Sequence, residues 1–188
     1  MRVLVACEFS GAVRDAFAEK GHDSISCDLL PSETPGKHYQ GNVFDIIDDG
    51  FDLMIAHPPC TYLSNSGVRW LKGNPERQSK REEAKEFVIN LYNSKINMIC
   101  IENPIGHLST SWRKPDQILQ PFHHGHGEWK STCLWLKNLP LLKPSEIVIP
   151  EEKLCGGAKP GRITSRLHRL PPSENRWKER SRTYKGIA

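Results

Sequence analysis

FDLMIAHPPCTYLSNSG, residues 51 to 67, decides how the rest of the chain is read. Phe51 to His57 is an apolar run with strand character. Pro58 and Pro59 then fix two successive φ angles, so Cys60 stands stiffly at a strand end. Thr61 to Gly67 is rich in Ser, Asn and Gly and reads as a flexible stretch behind the thiol. An aimed thiol at a strand end is an arrangement suited to chemistry.

Strand and helix signals alternate on both sides of that stretch. RVLVAC (2–7) reads as a strand, and GAVRDAFAEKG (11–21) as a short amphipathic helix with Val13, Ala16 and Phe17 on one face, ending at Gly21. DSISCD (23–28) is a second strand, followed by the Pro/Gly-rich LLPSETPGKHYQG (29–41) and then NVFDI (42–46). Residues 76 to 94 carry Ala84, Phe87, Val88, Leu91 and Tyr92 at helical spacing, with Asn74 as N-cap and Pro75 in the first turn. INMICIENP (96–104) is the next buried strand. STCLWLKNLPLL (131–142) reads as a strand and turn. The alternation predicts an α/β domain with a mostly parallel sheet, over residues 1–143, with a short basic region over 144–188.

Composition sets bounds. With 188 residues, 37% hydrophobic and 26% charged, the chain is long enough for one domain with a real core. No apolar run approaches the ~20 residues of a membrane span, and the N-terminus reads as a first strand, not a signal peptide. Six cysteines lie far apart without a C-x-x-C pair. The expectation is therefore a reducing cytoplasm and no disulfide framework. From Lys159 to Ala188 there are nine Lys and Arg against two Glu, although the whole chain carries only +4. A basic tail on a mildly acidic body suggests a polyanionic partner.

In a mostly parallel sheet ligands gather at the carboxyl ends of the strands. Three such ends carry distinctive residues: Glu8-Phe9-Ser10-Gly11, His57-Pro58-Pro59-Cys60 and Glu102-Asn103-Pro104. A thiol beside a carboxylic acid suits nucleophilic catalysis with an acid partner. One reaction needs that pair: methylation at carbon 5 of cytosine. The ring becomes nucleophilic there only after a thiolate adds at carbon 6 and an acid protonates nitrogen 3. Cys60 and Glu102 are the candidates. The turn after the first strand suits a nucleoside or carboxylate, and Asp28 ends the second strand where an acid accepts ribose hydroxyls.

With these residues in place the chain resembles a small phage-type cytosine-5 DNA methyltransferase. EFSG (8–11) resembles the family's Phe-x-Gly motif, which implies that Phe9, Ser10 and Gly11 hold S-adenosylmethionine. Asp28 stands at the position of the ribose-binding acid, Asn42 in GNV at that of the adenine-binding Gly-Asp pair, and Pro58 beside the cofactor. PPCTYLS matches the Pro-Cys-Gln-x-Phe-Ser loop, implying Cys60 as nucleophile, with Pro59 and Ser64 on the substrate side. IENP matches Glu-Asn-Val, implying Glu102 as the acid and Asn103 as the loop anchor. GHGEWKST echoes Gly-x-Pro-Gln-x-Arg-x-Arg, with Lys130 and Thr132 at the arginines, and RSRTYKGIA resembles the start of the closing motif. The implied fold is the Rossmann-like methyltransferase fold, the implied cofactor S-adenosylmethionine, and the implied partner DNA. No metal and no membrane are implied.

The departures carry meaning too. Asn42 stands for an acid, Thr61 for a glutamine, and Lys130 and Thr132 for two arginine forks. Too few residues follow Thr132 for a target-recognition domain as well as the closing motif. The expectation is a minimal DNA grip in KPGRITSRLHRLPPSENRWKERSR (159–182), reading phosphates more than bases, or a protein partner or oligomer that supplies recognition. Other readings stand beside this one: modification of a free pyrimidine nucleotide, an amino methyltransferase, or an inactive DNA-binding or decoy module. HHGH (123–126) lacks zinc spacing and reads as a solvated loop. Trp112, Trp129 and Trp177 are candidates for base stacking, and Trp135 for the core.

Overall fold

The computed structural model describes residues 1–150, 170–174, 176–181 and 183–188. Most of the expected basic grip (159–169 and residues 175 and 182), together with Cys155, lies outside the described residues. The chain divides into two compact units. One comprises residues 1–118 and 132–141, the other 119–131 and 142–188.

The first unit is α/β, built on a seven-stranded, mostly parallel sheet. Its strands are β1 (Arg2–Ala6), β2 (Asp23–Asp28), β3 (His38–Gln40), β4 (Leu53–Ala56), β5 (Met98–Pro104), β6 (Gln117–Leu119) and β7 (Thr132–Lys137), in the order β3-β2-β1-β4-β5-β7-β6. The pairs β1–β2, β2–β3, β1–β4 and β4–β5 are parallel, and β7 runs antiparallel to β5. The chain leaves β1 on one side through β2 and β3 and returns on the other through β4. The strand order reverses between β1 and β4, the place where such sheets open a crevice at their carboxyl edge.

Helix α1 (Ala12–Glu19) joins β1 to β2, and α2 (Pro75–Tyr92) joins β4 to β5. Both stand where the sequence puts helices. The Asn74 side chain accepts from the Arg77 amide at 2.9 Å and Pro75 opens the first turn, the capping chemistry expected of that pair. The apolar face of α2 buries Val88 and Leu91, with Ala84, Phe87 and Tyr92 packed against the same core. Val3 to Ala6, Met54, Ala56, Ile99, Ile101 and Trp135 fill the centre. Trp135 is in the core as expected, and its Nε1 donates to the Arg113 carbonyl at 3.0 Å. Trp112 stacks between Trp135 and Tyr92, with centroids 6.0 and 5.2 Å away.

Several expectations are corrected. Cys7 lies beyond β1, at φ 58°. There it turns the chain out of the sheet towards α1, a left-handed conformation uncommon for a non-glycine residue. The three-residue strands β3 and β6 were not legible, being too short for alternation to show. The stretch read as flexible after Cys60 is a 3₁₀ helix over Asn65–Trp70. One-turn helix α3 (Leu108–Ser111) follows β5.

The second unit holds helix α4 (Arg176–Ser181) and the HHGH run, which is not a solvated loop. His124 is buried, with its Nδ1 3.2 Å from Ser145 Oγ, and it bridges to Glu146 through the backbone. His126 Nε2 accepts from the Gly186 amide at 3.0 Å. Trp129 packs against Phe122, centroids 4.7 Å apart. The side chain of Trp177 lies outside what the structure describes. Among the described residues no helix is long and apolar enough to cross a membrane.

Candidate active site

Cys60 is exposed and sits at the head of a tight turn, its carbonyl accepting from the amides of Leu63 and Ser64 at 3.1 and 2.9 Å. Leu63 is fully buried and anchors the turn. Its carbonyl accepts the His107 amide at 2.7 Å, and Ser64 bridges antiparallel to Gly106. The prolines therefore stiffen one side of the thiol, and a buried leucine with a two-strand bridge stiffens the other. Arg77 from α2 lies over the Tyr62 ring, 5.0 Å from its centroid.

Glu102 and Asn103 come from β5, the parallel neighbour of β4. The β4–β5 ladder ends at the pair Ala56–Ile101, while the antiparallel ladder to β7 continues through Glu102–Leu134 and Asn103–Cys133 to Pro104–Thr132. Strand β7 thus holds Glu102 and Asn103 in extended geometry after β4 has left for the cysteine loop. Asn103, 1% exposed, donates its side-chain amide to the Pro58 carbonyl at 2.8 Å. His57 Nδ1 stands 3.2 Å from Glu102 Oε2, both side chains largely shielded from solvent. Two buried polar atoms beside this junction, His57 Nε2 and Asn103 Oδ1, have no hydrogen-bond partner among the described residues.

The turn after β1 is organised by Glu8, a residue without a role in the sequence reading. Its buried carboxylate accepts the amides of Val13 and Arg14 at 2.7 and 3.3 Å and the Ser10 hydroxyl at 3.1 Å. The positive amino end of α1 is thus already met by an internal carboxylate, and those amides are not offered to an external anion. Gly11, at φ 77°, is fixed by packing: a Cβ there would lie 2.1 Å from Thr34 Oγ1. Phe9 accepts the Glu33 amide on its carbonyl at 2.8 Å.

Arg14 explains that crowding. It is 1% exposed, and its guanidinium meets Asp15, Ser26, Ser32, Thr34 and the Pro35 carbonyl. It ties α1 to β2 and to the loop that follows. Asp28 closes β2 with one carboxylate oxygen, Oδ1, on the Leu30 amide at 2.9 Å. Its Oδ2 accepts no hydrogen bond from a described residue. Asn42 caps the 3₁₀ turn Val43–Asp45 through Oδ1, 3.1 Å from the Phe44 amide. Leu29 and Phe44, next to these two residues in sequence, are exposed.

Lys130 belongs to the second unit, where its Nζ donates to the Arg180 carbonyl at 3.1 Å and lies 5.6 Å from the Tyr184 ring centroid. Thr132 belongs to the first, buried in β7 opposite Pro104. The two positions aligned with the arginine motif are thus fastened within different units.

Among the described residues the other thiols are buried or half-buried, where Cys60 is exposed. Burial, helped by the Asp28 carboxylate and Cys27, pushes Cys7 up to about 12. Burial does the same to Cys100, to about 12, and to Cys27, to about 11. Cys133 is also raised by burial. A thiol held this high is inert as a nucleophile near neutral pH.

Sequence reasoning missed His57, Glu8 and Arg14 as organisers. The first two carried a signal: each is a polar residue one or two positions beyond the end of a buried strand, at a carboxyl-edge loop. Arg14 carried none, because its partners other than Asp15 arrive from 12 to 21 residues away. No protein-family model matches the chain, and no curated protein matches it.

Proposed function

We propose that this chain transfers a methyl group from S-adenosylmethionine to carbon 5 of cytosine in DNA, with Cys60 as nucleophile and Glu102 as acid. The observation that carries the reading is the tie between adjacent strand ends. Asn103 holds Pro58, two residues before the thiol, and Glu102 stands against His57, three residues before it. A thiol loop fastened to an acid-bearing strand is what addition to a pyrimidine requires. The strand order of the first five strands, reversing between β1 and β4, supports the Rossmann-like form of the sheet.

The residues near β1 and β2 fit the cofactor. Glu8 and Asp28 make the turn acidic, and the α1 amides are already engaged, which disfavours a phosphate-bearing cofactor and suits one with positive charge and no phosphate. Asp28 Oδ2 suits ribose hydroxyls, while Phe9, Ser10, Gly11, Asn42 and Pro58 line the same carboxyl edge. When bound, S-adenosylmethionine supplies an electrophilic methyl group.

Cys60 thiolate forms a bond to carbon 6 as Glu102 gives its proton to nitrogen 3. The resulting enamine is nucleophilic at carbon 5, which would take the methyl group as the donor's methyl–sulfur bond breaks and its sulfur keeps the electron pair. Water takes the carbon-5 proton, those electrons re-form the ring double bond, the carbon–sulfur bond returns its pair to Cys60, and Glu102 recovers the proton from nitrogen 3. Duplex DNA requires the base to leave the stack, and the basic tail supports a polyanionic substrate.

The test is nucleoside mass spectrometry on DNA incubated with the protein and S-adenosylmethionine, beside Cys60→Ala. New 5-methyl-deoxycytidine that vanishes in the variant supports the reading. Product absent from DNA and present on free cytidine nucleotides moves the substrate; product absent from both overturns the enzyme reading.

A further inference from the structure

The sequence and the proposed reaction give no role to His57, yet the structure places it against the acid. Residue 57 is the first after β4, and its amide still donates to the Ala6 carbonyl of β1 at 2.9 Å, so its backbone is fixed by the sheet. Its next neighbour, Pro58, is fixed by Asn103. The imidazole is thus held from both sides, with Nδ1 3.2 Å from Glu102 Oε2. Its other nitrogen, Nε2, is buried without a hydrogen-bond partner among the described residues.

The two nitrogens settle the direction of the bond. A carboxylate oxygen only accepts, so it needs the proton on Nδ1, and the other tautomer would set two lone pairs against each other while burying an Nε2–H without an acceptor. The favoured arrangement puts the proton on Nδ1, where the carboxyl oxygen receives it, and leaves Nε2 as the lone pair. We infer that His57 is a positioning residue of Glu102: its Nδ1–H holds Oε2 and so restrains the turning of the carboxyl group. The inference rests on the proposed chemistry for its catalytic consequence and on geometry alone for the hydrogen bond.

A carboxyl group rotates readily about its last torsion and exchanges its two oxygens. With Oε2 held, that exchange is hindered, and the bond survives whether Oε1 carries the acid proton or has given it away. The acid therefore keeps one orientation through addition and elimination. Partners of this kind, set behind a reacting group, are worth about 10–100-fold in activity where they have been removed from metal sites.

The test has two arms. Asparagine presents an amide N–H where histidine presents Nδ1–H, whereas phenylalanine keeps the ring shape and removes the donor. His57→Phe is expected to lower kcat about tenfold or more with the KM for S-adenosylmethionine unchanged, and His57→Asn to recover most of that loss. A purely structural role predicts instead that both variants lose activity in step with thermal stability. The second arm reads the ring directly. Nitrogen-15 shifts of His57 at pH 8 are expected to show the Nδ1–H tautomer in the parent and a mixed tautomer in Glu102→Ala. An Nε2–H tautomer in the parent, or full activity in His57→Phe, overturns the inference. Should the parent methylate nothing, the proposed chemistry fails while the tautomer still decides the His57–Glu102 bond.

Discussion

Asn103 donates its buried side-chain amide to the carbonyl of Pro58 at 2.8 Å, tying β5 to the loop that carries Cys60. Pro58 offers no N–H of its own, so its carbonyl is the only backbone handle at that point, and Asn103 takes it.

Removing that handle tests how much the loop depends on it. Asn103→Ala leaves the Pro58 carbonyl without its donor and is expected to cost about 1–3 kcal/mol of stability. Under the proposed chemistry, methyl transfer per folded molecule should fall further than stability does, about tenfold or more, because a small misplacement of a nucleophile is costly. Unchanged turnover in the folded fraction would show that the tie serves the fold alone.

Arg14 is the second stake. Its buried guanidinium joins α1, β2 and the loop after β2, and Arg14→Leu leaves several hydroxyls and carbonyls without their donor. The expected loss is about 3 kcal/mol or more, read as a fall in Tm of roughly 6–12 °C for a chain of this size. A variant within about 1 °C of the parent would mean that the network is dispensable.

Thiol reactivity should separate Cys60 from its neighbours. At pH 8 a thiol at about 12 is roughly 1 part in 10,000 thiolate, so native Cys7 and Cys100 should resist iodoacetamide. Cys27, at about 11, should resist nearly as well. Peptide mass spectrometry after brief alkylation should find Cys60 modified first among the five described cysteines. Early labelling at Cys100 would contradict its burial in β5.

Acid sensitivity follows from two histidines. Burial lowers His124 and His107 below the ordinary 6.5, neighbouring histidines adding to the effect for His124 and Arg81 for His107. Below that value the unfolded chain binds protons that the folded chain refuses. Their contribution to stability is therefore whole above about pH 6.5 and is lost as pH falls. Thermal melts from pH 7.5 to 5.5 should show falling Tm, and His124→Gln with His107→Gln should flatten the slope. A flat parent profile would sink the assignment.

Much of the scaffold was legible because its signals are local. The helical spacing of Ala84, Phe87, Val88, Leu91 and Tyr92, with Asn74 and Pro75 before it, located α2 without reference to anything distant. Strands β2 and β5 were legible as apolar runs bounded by turn residues. Where signals were weak the reading failed for physical reasons: β3 and β6 have three residues each, too few for a pattern, and HHGH is folded by Ser145, Glu146 and Gly186, far along the chain. The turn after Cys60 looked flexible by composition, yet one buried leucine and the Gly106 bridge order it.

The sequence by itself determined which chemistries were present: one thiol behind two prolines, one acid in Glu-Asn-Pro, and acidic residues after the first two strands. Local preference and composition suffice for that, since they depend on residues near one another. The tertiary structure alone decided how those groups are held. The antiparallel β7 keeps Glu102 and Asn103 extended beyond the β4 ladder, His57 meets the acid, and Glu8 occupies the amino end of α1. Each of these is a contact between segments distant in sequence, made by strand order and register, and neither composition nor periodicity records which strands become neighbours.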